Sequence, residues 1–88
     1  QAPAELELVR KLADFPEEIT LAARDLAPHR LTRYLHEVAG LFHSFYNAHR
    51  IKGEAPEVRQ ARLILIAATR TVLANGLGLI GVLAPENM

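Results

Sequence analysis

His29, His36 and His43 recur every seven residues, and Ser44 stands next to the last of them. These side chains are suited to metal ligation or nucleophilic chemistry, yet their spacing argues against both. Two histidines on a helix reach one metal ion when about three or four residues separate them, so a seven-residue repeat is not a ligand set. Ser44 has His36 and His43 on its own side of a helix, but no carboxylate is placed to orient either imidazole. Glu17 and Glu18 are adjacent and diverge. The glycines of NGLGLIG, residues 75–81, follow a helical stretch and precede none, the reverse of a phosphate-cradling loop. With no cysteine there is no thiol nucleophile, thiolate metal site or disulfide, which fits a reducing, cytoplasmic setting. The sequence therefore predicts no catalytic residue, no metal site and no cofactor in this chain.

The histidine spacing builds a different feature. Together with Gly40, Asn47 and Arg50 it lays one polar stripe along a helix, opposite an apolar face. A solvated helix face is the plain reading of such a stripe. His49 falls on the apolar side and reads as a hydrogen-bonded packing residue. Tyr46 lies about 60° from His43 and about 40° from Arg50 on a helical wheel, on the border between stripe and apolar face. At that border a tyrosine is either a rim residue with its hydroxyl in water or a stacking platform for an unpaired base. In the second case His43, Asn47 and Arg50 would flank it as hydrogen-bonding or phosphate contacts.

The elements that must position these residues are helical. Leu6, Val9, Leu12 and Ala13 recur at helical spacing within residues 5–13, and DFPEE then resets the chain, with Pro16 suited to a first helical turn. Glu17 and Glu18 suit the positive end of a second helix, whose expected apolar stripe is Ile19, Ala22, Ala23 and Leu26. Pro28 disfavours helix at the residue before it. A third helix over about residues 29–50 carries Leu31, Tyr34, Leu35, Val38, Phe42 and Phe45 in one arc. Gly53 reads as a stop and Pro56 as the opening of a fourth helix over about residues 57–79. That last segment is apolar on more than one side, which predicts the central element of a bundle. The first two helices offer it little apolar cover, so a partner or a further helix is expected on the remainder. No alternating strand pattern and no repeat is visible. The fold class is all-α, an antiparallel bundle of about four helices.

At 88 residues the chain supports one domain with a modest core. Ten basic residues balance ten acidic ones, so any nucleic-acid contact must be local rather than a whole-domain attraction. The apolar run Leu63–Ala68 is too short to span a bilayer, and no signal-peptide layout opens the chain. An opening on Gln1 is read as a piece excised from a longer polypeptide.

Three stretches carry a family resemblance: LVRKLADFPEEI, HRLTRYLHEVAGLFHSFYNAHRI and ARLILIAATRTVLANGLGLIGVLAPENM. Over residues 5–88 the chain resembles the C-terminal DALR anticodon-binding domain of the arginyl-tRNA synthetases. The cluster FHSFYN after YL, the ARL opening of the last helix and the ending GLGLIGVLAPENM are its most specific parts, strong in their order and spacing. The resemblance implies a class I synthetase bundle with its first helices missing, and a single domain, 1–88, lacking the catalytic domain. It implies binding of the anticodon loop of arginine tRNA, while the parent enzyme's catalytic domain uses ATP with magnesium for aminoacylation. The rest of the synthetase polypeptide would be the protein partner, and an exposed apolar strip would favour self-association.

Tyr46 in SFYNAHRI matches the family's base-stacking tyrosine, and Met88 matches a terminal methionine that lies against the anticodon. On that reading the glycines let the fourth helix stop and the tail turn back, with Pro85 stiffening it. Asn87 stands where the family carries arginine, so that arginine's contact is not available here. An antiparallel fourth helix ends about 24 Å from Tyr46, at about 1.5 Å per residue. The tail must therefore run back along the bundle, or Met88 and Tyr46 touch different nucleotides. Two alternatives stand beside this reading. One is the related domain of a cysteinyl or glycyl synthetase, against which the APENM ending argues. The other is a non-enzymatic helical adaptor that packs its bare strip on another protein.

Overall fold

The structure, a computed structural model, describes residues 3–48 and 55–83. Four helices account for nearly all of them: α1 (Pro3–Ala13), α2 (Phe15–Arg24), α3 (Pro28–Ala48) and α4 (Pro56–Leu83). No strand occurs among the described residues, so the all-α architecture expected from the sequence is the one that forms. His49 and the expected stop at Gly53 lie outside the described residues.

Asp14 alone separates α1 from α2. Its amide donates to the Lys11 carbonyl and its own carbonyl accepts from the Glu18 amide, so the two helices share a joint. At the other end of α2 the Ala27 amide donates to the Ala22 carbonyl and the Leu26 amide to the Ala23 carbonyl. This pair of bonds is a Schellman closure, and it puts Leu26 in the left-handed position that glycine usually occupies, at φ 51°. Leu26 is consequently turned out, 81% exposed, and leaves the apolar stripe expected of it. Ala22 is buried and Ile19 is half-buried, while Ala23 is exposed.

The face of α1 also differs from expectation. Leu8 is fully buried, with Ala4 and Leu12 packed beside it, whereas Leu6 and Val9 are exposed and Ala13 faces solvent. Residues 4, 8 and 12 share one side of a helix, and that side meets α3. The apolar residues of α1 wrap around much of its surface, so their spacing alone could not choose between the two sides.

The central element is α3, which supplies most of the buried core and is the neighbour with which each other helix packs most extensively. Leu31, Tyr34, Leu35, Val38 and Phe45 are buried and Phe42 is partly buried, the face its periodicity predicts. The expectation that α4 is central is overturned. Its buried residues are Leu65, Thr69 and Gly76, flanked by Val72, Leu73, Leu79, Ile80 and Leu83 along the seam with the core. Leu63, Ile64, Leu77 and Val82 lie off that seam and are 49–73% exposed, so apolar residues on several sides of α4 mark an uncovered face. By length and composition α4 could cross a bilayer. The run Leu63–Ala68 understated this, because only Thr69, Arg70, Thr71 and Asn75 interrupt the longer apolar stretch.

The glycines do not stop α4, which runs through Gly76, Gly78 and Gly81 to Leu83. Gly76 serves close approach instead: a Cβ there would lie 2.6 Å from Cδ2 of Leu35. This contact, and the groove that Thr32 shares with Ile80, make α4 antiparallel to α3. Leu83 is therefore at the Pro28 end of α3, about 27 Å along the axis from Tyr46 at about 1.5 Å per residue.

Candidate nucleic-acid interface

Two sets of polar and aromatic side chains stand out, and they do different work. The first holds the helices together at the α1–α2 joint. Tyr34 donates its hydroxyl proton to the Lys11 carbonyl, and its ring stacks on Phe15 at 6.1 Å between centroids. The Lys11 ammonium sits 5.6 Å from the Tyr34 ring centroid and pairs with Glu37. Nε of Arg30 donates to Glu18 at 2.9 Å. Burial, reinforced by the carboxylates of Asp14 and Glu18, pushes the Tyr34 phenol up to about 12. Each charge here has a partner on another helix, so this cluster ties α1 and α2 to α3. Glu18 and Glu17 do not form a carboxylate pair, since Glu18 is turned to Arg30.

The second set lies at the far end of α3. Phe45 is 1% exposed and anchors the group in the core. Phe42 packs at 6.3 Å from it with the rings tilted by 44°. Tyr46, one turn beyond Phe42, stacks on that ring at 6.0 Å and 30° while remaining 46% exposed. A tyrosine held by a neighbouring ring and open to solvent is ready to stack on a third ring, with little side-chain entropy left to lose. His43 and Asn47 flank it and are exposed. His29, His36 and Gly40 continue the exposed stripe, as expected. The structure thus brings together Tyr46, His43 and Asn47 of the predicted site. Arg50 and Met88 lie outside the described residues.

Electrostatics separate the two halves of the bundle. α1 and α2 carry Glu5, Glu7, Glu17 and Glu18 against Arg10, Lys11 and Arg24. α3 and α4 carry Arg30, Arg33, Arg59, Arg62 and Arg70 against Glu37 and Glu57. From Val38 to Ala48 and from Val58 to Leu83 there is no acidic residue. The length of α4 after Glu57 therefore carries Arg59, Arg62 and Arg70 with no acid, a local positive excess that the neutral total concealed.

Two further concave spaces are apolar. A groove of about 330 Å³ between α3 and α4 is lined by Thr32, Leu35, His36, Leu73, Leu77 and Ile80. Another, of about 460 Å³, lies between α2 and α4 beside Phe15, Ile19 and Val82. Among the described residues no three of His, Asp and Glu come together as a metal ion would require. One member of the Tyr46 region escaped sequence reasoning: Arg70, which shares a cavity with Phe42. No spacing rule could have found it, because its neighbours belong to another helix.

The DALR anticodon binding domain model matches residues 1–88, and the chain belongs to that family. Its curated relatives include the arginine–tRNA ligase of Desulforamulus reducens, 61% identical over 85 residues that make up 97% of this chain and 15% of that protein. The arginine–tRNA ligase of Desulforudis audaxviator is 58% identical over the same shares. That of Moorella thermoacetica is 54% identical over 100% of this chain and 16% of its own length. The chain thus spans about 15% of the length of the curated relatives it matches. No solved structure gives a significant match.

Proposed function

We propose that this chain is the anticodon-binding part of a cytoplasmic arginine–tRNA ligase. It is read as a single domain that holds the anticodon loop of arginine tRNA while a separate catalytic domain, supplied with ATP and magnesium, aminoacylates the tRNA. The observation that carries this reading is the half-exposed Tyr46 ring resting on Phe42, beside stretches of α3 and α4 that carry no acidic residue. Loop bases splay out of a tRNA anticodon and are recognised by stacking and by hydrogen bonds to their edges. Tyr46 would supply the stacking face, with His43, Asn47 and Arg50 as neighbouring donors.

Met88 would contact a different nucleotide. The five residues after Leu83 reach at most about 18 Å at about 3.6 Å each, short of the roughly 27 Å of helix that separates Leu83 from Tyr46. The exposed Ile64 and Val82, which share a side of α4 turned away from Arg70, favour a protein contact as well. We assign that face to the rest of the synthetase polypeptide, and the isolated chain would self-associate through it.

The test is binding of an arginine anticodon stem-loop by the full-length polypeptide. Tyr46→Ala is expected to weaken it by about 1–3 kcal/mol, the usual loss for a stacking aromatic. Unchanged affinity would remove Tyr46 from the interface. No affinity in the unaltered protein at any salt concentration would favour the helical adaptor instead.

A further inference from the structure

Arg70 lies on α4 and lines a cavity of about 140 Å³ with Phe42, Ile66, Thr69 and Leu73. Phe42 is the same ring on which Tyr46 stacks. The other polar lining group is already occupied, since the Thr69 hydroxyl donates to the Leu65 carbonyl at 2.9 Å. Arg70 itself makes no hydrogen bond or ion pair among the described residues and is exposed. Its helical neighbours at three and four residues are Ile66, Ala67, Leu73 and Ala74, so its own helix supplies no acid. The late part of α3, which it faces, supplies none either.

This setting differs from that of the arginines of α3. Arg30 is paired to Glu18, and Arg33 lies in a polar cleft with Glu18 and Glu37. Arg70 combines a charge without a counterion among the described residues, an apolar cavity and an aromatic ring that already supports an exposed tyrosine. A guanidinium so placed matches a phosphate, which it can hold through two parallel N–H donors.

We propose that Arg70 is an RNA-contacting residue of this surface, holding a backbone phosphate of the strand whose base stacks on Tyr46. The proposal rests on the anticodon-binding reading and adds to it a contact from α4, so that the strand lies across the α3–α4 seam. Tyr46 contributes stacking, which is largely insensitive to salt. Arg70 contributes one displaced counterion, and about 0.7 of a unit in the slope of log affinity against log salt for a single strand.

The experiment measures binding of an arginine anticodon stem-loop to the full-length polypeptide across a salt series. The variants are Arg70→Gln, Arg70→Lys and Tyr46→Ala. Arg70→Gln is expected to lower the slope by about 0.7 and to weaken binding about fivefold at 0.1 M salt. Arg70→Lys, which keeps the charge, should restore most of the slope, whereas Tyr46→Ala should lower affinity with the slope unchanged. If Arg70→Gln binds with wild-type affinity and slope while Tyr46→Ala is weakened, the Arg70 contact is overturned and the anticodon-binding reading survives. If the unaltered protein does not bind, both fall. Helical circular dichroism of Arg70→Gln checks that the exposed substitution leaves the fold intact.

Discussion

Gly76 and Gly78 stand two residues apart in α4, and replacing each by alanine should have opposite effects. In a helix interior alanine is favoured over glycine by about 1 kcal/mol, because glycine loses more backbone entropy on folding. A Cβ at Gly78 meets nothing within 4 Å, so the whole gain should appear as stability. At Gly76 the same Cβ would lie 2.6 and 2.7 Å from the two Cδ atoms of Leu35 and 3.1 Å from its Cγ. Leu35 is itself 6% exposed and packed into the core, so it has little freedom to turn away. Overpacking of this kind costs about 1–3 kcal/mol. Net of the helix preference, Gly76→Ala is expected to destabilise by about 0–2 kcal/mol and Gly78→Ala to stabilise by about 1 kcal/mol. Urea denaturation followed by helical circular dichroism measures both. The melting temperature of Gly78→Ala should rise by roughly 4–8 °C, the response to about 1 kcal/mol in a domain of this size. In a Leu35→Ala background the clash is removed and Gly76→Ala should become stabilising too. Equal stabilisation at both positions in the unaltered background would refute the close approach of α4 to α3.

Two further expectations concern tyrosines. Tyr34, raised to about 12 by burial and by Asp14 and Glu18, should make the fold sensitive to high pH. The folded state favours the neutral phenol, so the stabilisation is fully present below the ordinary value near 10 and is lost as pH rises from about 10 to 12. Denaturation across that window should show the loss, and Tyr34→Phe should flatten that component while costing about 1 kcal/mol at neutral pH for the hydrogen bond to Lys11. Tyr46→Ala, in contrast, should leave the fold intact at neutral pH, within about 1 kcal/mol by the same denaturation, since the ring is 46% exposed.

The legibility of this chain followed how much of each helix is buried along a single arc. The face of α3 was readable because one helix buries one arc against everything else, so Leu31, Tyr34, Leu35, Val38 and Phe45 obey a single period. In α1 the apolar residues surround much of the helix, and the choice of Leu8 over Leu6 and Val9 was made by the surface of α3. Leu26 kept the right spacing but lost its place to the turn that closes α2. The glycines of α4 misled because a glycine near a helix end usually marks a stop, whereas Gly76 marks an approach of two helices. Tyr46 could be placed from its position between stripe and core, but its support by Phe42 and the company of Arg70 required the antiparallel register of α3 and α4.

The central claim is that RNA binds the α3–α4 side around Tyr46. Backbone amide chemical shifts of the protein, recorded during titration with an arginine anticodon stem-loop, test it most directly. The account predicts that the largest changes fall on residues 42–47 and on the facing stretch of α4 from Arg62 to Arg70. Changes confined to α1 and α2, or to the C-terminal part of α4 from Leu77 to Val82, would contradict it.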